Sequence, residues 1–167
     1  PIASEISLGN IHAFIGLLVI VGFRWPAAWS LILLTKITPG VGLLWFVFRR
    51  EWRNLGIAVI ATAALVVVTL PFGWDLWPRW VEGLIANRDP DAASDAILQL
   101  ALPIRLAIAT VILWWGARRD AYWVVPIAVT LGLPILWSHG LAILLASLYL
   151  ATRDRAWRLL RPASRSA

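Results

Sequence analysis

Apolar residues run through this 167-residue chain in long stretches, broken by short polar or proline-glycine punctuation. Seven stretches stand out, at residues 10–23, 26–35, 39–48, 55–72, 96–116, 121–133 and 139–151. A helix needs about 20 residues to cross the hydrocarbon of a bilayer. The stretches at 55–72 and 96–116 approach that length, whereas the second and third are too short to cross alone. The pattern predicts an all-α, polytopic integral membrane bundle of about seven helices, some of them short or paired as a hairpin. It divides into a transmembrane domain over 1–152 and a basic tail over 153–167.

The second and third stretches meet at Lys36-Ile37-Thr38-Pro39-Gly40, in the run LILLTKITPG. Proline lacks an N–H and pushes the residue before it out of the α region, so this segment can break a helix. Two short helices meeting at 36–40 are expected; one long kinked helix over 26–48 is the alternative.

Composition points the same way. The chain is 60% hydrophobic and only 14% charged, where an ordinary soluble domain carries about 25% charged residues. Twelve tryptophans suit a chain with two membrane–water interfaces. With no cysteine, disulfides and thiolate metal sites are excluded. The net charge of +6 does not mark a nucleic-acid binder, because the basic residues fall in short clusters between apolar runs.

Those clusters orient the chain. Arg24, the groups at 49–53 and 118–119 and the C-terminal arginines hold eleven of the fifteen basic residues. Alternating spans put all of them on one side if the Lys36 hairpin goes out and back, and by the positive-inside rule that side is cytoplasmic. The other side then holds Glu5, the Lys36 turn, the loop 73–95 and the turn 134–138, with six of the nine acidic residues. In the loop 73–95, Trp74, Trp77 and Trp80 are spaced for one face of a helix lying along the membrane surface. A sugar-stacking platform is the other use of those rings.

Several residues on that outer side could carry chemistry. Lys36 near a helix end either snorkels into the headgroups or offers a fixed point charge to a lipid-borne phosphate. In the second case the backbone N–H groups of 37–40, Pro39 excepted, add to an anion site. Trp137-Ser138-His139 opens the last stretch on the same side. His139 can exchange protons near neutral pH or hold phosphate as a cation, or serve as an interfacial group. Ser138 is a candidate helix cap, and Asn10 a candidate N-cap or sugar-hydroxyl partner. His12 has the weaker case and reads as interfacial. Arg105, one turn into its span, can reach the outer face and pair with a carboxylate or phosphate. The run DPDAASD (89–95) lacks the regular ligands of a calcium loop. No phosphate-cradling P-loop, zinc-protease helix motif or nucleophile elbow is present. No metal site and no cofactor is expected.

Taken in order, Gly9-Asn10 before a short span, the Thr35-Lys36-x-x-Pro39 hairpin, the basic RREWR at 49–53, the Trp-rich loop and the late Trp137-Ser138-His139 form a recognisable series. It resembles the C-terminal half of glycosyltransferase family 87, polytopic mannosyltransferases of the glycosyltransferase-C superfamily that use polyprenyl-phosphate sugars. The resemblance covers roughly residues 8–152. It implies an enzyme of the bacterial plasma membrane that moves a sugar, mannose by this likeness, from a lipid phosphate carrier to a glycan or glycolipid acceptor on the extracytoplasmic side. Lys36 and His139 map onto residues that meet the donor phosphate, with Asn10, Ser138, Arg105 and Trp77 as possible sugar or lipid contacts. The superfamily's catalytic aspartate belongs to the first outer loop. The chain opens on Pro1 without an initiator methionine, so that aspartate is expected upstream, and this segment by itself is expected to be inactive. Half of a transporter, which would show inverted repeats around broken helices, and a non-catalytic membrane subunit are the alternatives.

Overall fold

Prolines set where helical segments begin. Pro26, Pro39, Pro78, Pro103 and Pro126 each fall among the first three residues of a helical segment. There the missing N–H has no intrahelical partner to lose, and the fixed φ suits the first turn. The computed structural model describes residues 11–86 and 100–160, and all regular structure among them is helical. Eight α-helices follow in order: α1 (His12–Gly22), α2 (Trp29–Thr35), α3 (Leu44–Phe48), α4 (Trp52–Thr69), α5 (Leu76–Ala86), α6 (Leu102–Arg118), α7 (Val124–Leu131) and α8 (Leu144–Leu160). Short 3-10 segments lead into α2 (Pro26–Ala28), α3 (Thr38–Leu43) and α8 (Ser138–Ile143), and Leu70–Phe72 extends α4.

The expected stretches at 10–23, 26–35 and 39–48 therefore survive as α1, the segment ending in α2, and the segment ending in α3. Near the other end, α8 runs on to Leu160, so the backbone at 153–160, expected as tail, is helical. Residues 96–99, the start of the fifth stretch, lie outside the described residues, and α6 begins at Leu102.

The chain reverses at Lys36. A methyl group on Gly40 would lie 2.5 Å from Leu33 Cδ2. Residues seven apart along a straight helix are separated by about 10 Å of rise, so the two segments fold back as a hairpin rather than continuing through a kink. Trp29, fully buried, locks the hairpin to α1. Its ring lies over both Gly22 and Gly42, where any Cβ would come within 2.5 Å of it, and it meets Phe46 edge to face with centroids 6.3 Å apart.

Successive segments alternate between two ends of the bundle. At one end Phe23, Trp45 and Tyr122 form a ring cluster. Over it sits Arg49, 5.5 Å from the Trp45 and Tyr122 ring centres. Arg49 donates to Glu51 at 2.7 Å, to Asp120, and to the Ala117 carbonyl at 3.3 Å. The chain turns tightly here, with Arg50 and Asp120 in the left-handed region. The opposite end gathers the start of α1, the Lys36 turn, the start of α6 and the Gly132–Ser138 connection. The arginine pairs at 49–50 and 118–119 thus lie at one end and the Lys36 turn at the other.

The segment Trp52–Phe72 alone among the described helices is long and apolar enough to cross a membrane, with 21 residues and a mean hydropathy of 2.4. Most of it is not covered by the rest of the protein: Ile60, Val67 and Val68 are all more than 60% exposed. Apolar surface of that extent on a single helix calls for lipid or a protein partner. Shorter apolar helical segments lie at His12–Gly22, Pro26–Thr35, Thr38–Phe48 and Gly140–Arg153. At about 1.5 Å per residue, the two arms of the hairpin rise only roughly 15 Å. An all-helical fold with these features is that of a helical membrane protein.

The expected surface helix is shorter than its tryptophan spacing suggests. It starts at Leu76, so Trp74 stands before it in the turn after Gly73, with 74% of its surface exposed. Trp77 and Trp80 share a face and pack edge to face at 5.6 Å.

Candidate functional site

A continued α2 would drive the Pro39 ring into the carbonyl of Thr35, four residues back. The helix stops instead. Thr35 turns its hydroxyl onto the Leu31 and Ile32 carbonyls at 2.8 and 3.0 Å. Lys36 leaves the helix in an extended conformation (φ −150°, ψ 116°), its N–H still bonded to the Ile32 carbonyl at 2.8 Å. That swing carries the Lys36 side chain sideways to α1, where Nζ lies 2.9 Å from His12 Nε2. Lys36 is half-buried, and His12, the first residue of α1, is 3% exposed.

Two residues on, Thr38 begins the 3-10 segment, and its hydroxyl oxygen is buried with no hydrogen-bond partner among the described residues. A buried hydroxyl left unbonded costs about 1–3 kcal/mol, which makes this one a candidate ligand group. The Thr38 carbonyl and Pro39 pack directly on Gly132, just past α7, where a methyl would come within 2.8 Å of that carbonyl. Gly132 is thus the side chain-free position that lets the α7 connection close on the Lys36 turn.

The Gly132–Ser138 connection is held from its other side by Arg105. This residue, 3% exposed, donates to the carbonyls of Leu100 (2.9 Å), Leu131 (3.4 Å), Leu133 (2.7 Å) and Pro134 (2.6 Å). A guanidinium has five N–H groups. Four such bonds leave at most one for a ligand, so the arginine read from sequence as a phosphate or carboxylate partner is engaged chiefly in fixing backbone. The carbonyls at the end of α7 are among the groups a helix leaves unpaired, which explains what a buried cation does there.

From this connection the chain enters the Ser138–Ile143 segment out of an extended Trp137, with no side-chain cap. Ser138, proposed as a cap, is exposed. The backbone of His139 lies in the first turn of that segment, which packs on α1: a methyl on Gly16 would lie 3.3 Å from the Ile143 Cα. His12 is one turn before Gly16 and His139 one turn before Ile143, so both segments start at the Lys36 end. The two 3-10 segments mirror one another, Thr38-Pro39-Gly40 and Ser138-His139-Gly140 each opening a six-residue turn.

Trp77 lies apart from Lys36 itself, lining an apolar groove of about 440 Å³ with Leu34, Thr69, Phe72, Gly73, Leu76 and Trp80. Asn10 lies outside the described residues. Nearby acids are exposed: Asp75 pairs loosely with Arg79 at 3.7 Å, and Glu82 faces solvent.

The structure thus draws Lys36, Thr38 and the starts of the first and last segments together, and adds His12, which sequence reasoning ranked low. The signal was present: alternation puts the start of the first segment at the same end as the Lys36 turn.

No solved structure matches this chain. Over 92 residues it is 33% identical to a polyprenol-phosphate-mannose-dependent α-(1-2)-phosphatidylinositol mannoside mannosyltransferase of Mycobacterium tuberculosis. That match takes in 50% of this chain and 22% of the mycobacterial protein, so the chain spans a minor part of its relative's length. The family model for glycosyltransferase family 87 matches residues 1–164, nearly end to end, and the chain belongs to that family.

Proposed function

We propose that this chain is the donor-binding portion of a membrane mannosyltransferase that takes mannose from a polyprenyl-phosphate carrier and passes it to a glycolipid acceptor. In this reading seven segments cross or enter the bacterial plasma membrane, the arginine-rich end is cytoplasmic, and the Lys36 end faces out. Lys36 and the Thr38 hydroxyl hold the donor phosphate, with His139 as a further ligand. The leaving group is a polyprenyl phosphate whose growing negative charge needs a preorganised cation, and a general base for the acceptor hydroxyl comes from elsewhere in the protein. The observation that carries the reading is the half-buried lysine two residues before an unbonded buried hydroxyl, at the end opposite the arginine pairs at 49–50 and 118–119, in a chain of this family. The relative's dependence on polyprenol-phosphate-mannose supports the choice of donor, and family membership favours an enzyme over a transporter half or a passive subunit.

Membranes bearing the protein are expected to transfer label from polyprenyl-phosphate mannose to phosphatidylinositol mannosides and not from a nucleotide-linked mannose. Direct transfer from the nucleotide sugar, with carrier synthesis blocked, would overturn the donor assignment. Orientation is checked separately. The chain has no cysteine, so single cysteines placed at the exposed positions Arg50 and Glu82, with any cysteine elsewhere in the whole protein replaced, give unambiguous labelling. They are expected to react with an impermeant maleimide from opposite faces of sealed vesicles, Glu82 from the outside.

A further inference from the structure

We infer that His12 is a positioning residue for the donor site: it holds the Lys36 ammonium at the place where the carrier phosphate arrives. The inference rests on the reading of Lys36 as phosphate ligand and adds to it a residue on another helix.

Three observations carry it. Lys36 Nζ is 2.9 Å from His12 Nε2, a short contact between groups 24 residues apart that the chain brings together only by breaking α2. A charged ammonium has donors and no acceptor, so Nε2 must present its lone pair, which leaves the ring proton on Nδ1. His12 is itself almost wholly buried, and α1 is fixed against the last segment through Gly16 and against the hairpin through Gly22. Its ring is therefore a rigid acceptor. A lysine stem has several rotatable bonds and loses their freedom when its head is fixed. An acceptor already set in the fold restricts the ammonium before the phosphate binds, which is preorganisation in the usual sense.

The test uses the whole membrane protein in detergent micelles, titrated with a short-chain polyprenyl monophosphate that carries no sugar. His12→Leu removes the acceptor and is expected to weaken binding about tenfold, one such step being the usual worth of a lost charge-assisted contact. His12→Gln can set its Oε1 where Nε2 stood and is expected to bind within about twofold of the parent. His12→Asn is too short to reach Lys36 and is expected to behave like leucine. A residue needed only to fill a polar site would not separate glutamine from asparagine in this order. In a Lys36→Gln background, His12→Leu is expected to add nothing.

If Lys36→Gln weakens binding while His12→Leu and His12→Asn bind like the parent, the positioning role falls and the phosphate site stands. If the leucine effect persists in full in the Lys36→Gln background, His12 acts without Lys36 and the inference also falls. If Lys36→Gln itself binds as tightly as the parent, the phosphate reading is the one that fails. Should His12→Leu not fold, the comparison of His12→Gln with His12→Asn decides alone, equal binding by the two overturning the inference.

Discussion

Arg105→Leu is expected to destabilise the protein by about 3 kcal/mol or more, the largest single effect among the residues of the site. Leucine fills much of the same volume but leaves the carbonyls of Leu100, Leu133 and Pro134 without their donors, three bonds of 2.6–2.9 Å. An unsatisfied buried acceptor costs about 1–3 kcal/mol; the bond to Leu133 is buried, and those to Leu100 and Pro134 are part-buried, so they add less. Arg105→Lys keeps the charge but not the planar fork, so it recovers only part of the loss. The midpoint of SDS-induced unfolding measures it. A leucine variant as stable as the parent would show that the three carbonyls find other donors and that Arg105 is not the clamp.

Lys36→Gln is expected to weaken binding of polyprenyl phosphate by about 1.5–3 kcal/mol, roughly ten- to a hundredfold, as losing a charge-assisted hydrogen bond does. It is also expected to cost some stability, because the buried His12 nitrogen loses its partner and an unbonded buried acceptor costs about 1–3 kcal/mol. Affinity separates the phosphate reading from snorkelling, in which phosphate binding does not change. Lys36→Arg is expected to recover affinity in part, because the guanidinium keeps the charge and changes its shape. Titration of each purified variant gives the answer, and an unchanged dissociation constant in a folded Lys36→Gln would remove Lys36 from the site.

Features with a local cause were legible in the sequence. The break at Lys36 follows from where Pro39 would meet Thr35, and the starts of several helices follow from their prolines. The separation of Arg49 and Arg118 from Lys36 follows from counting alternations. What could not be read depends on backbone turns and tertiary contacts that leave no residue signature. Trp74 has the right spacing for the surface helix, yet the turn at Gly73 and the start at Leu76 leave it out. Arg105 reads as a functional cation because a buried charge invites a charged partner, whereas its partners are main-chain carbonyls with no sequence signature. Tertiary contact also decides the position of His12, since nothing near it in sequence indicates a lysine 24 residues on.

The shortness of the hairpin arms bears on how the protein is made. Each arm, Pro26–Thr35 and Thr38–Phe48, reaches only about half of a 30 Å hydrocarbon layer. An arm alone in lipid would end inside the layer rather than at its surface, and a lysine held there costs about 2.5–3.5 kcal/mol. The contacts that hold the hairpin, Trp29 against Gly22 and Gly42 and Gly132 against the Thr38 carbonyl, are complete only once residues as far on as 132 have been synthesised. Setting this hairpin at its depth and packing it against the later helices are therefore one event rather than two.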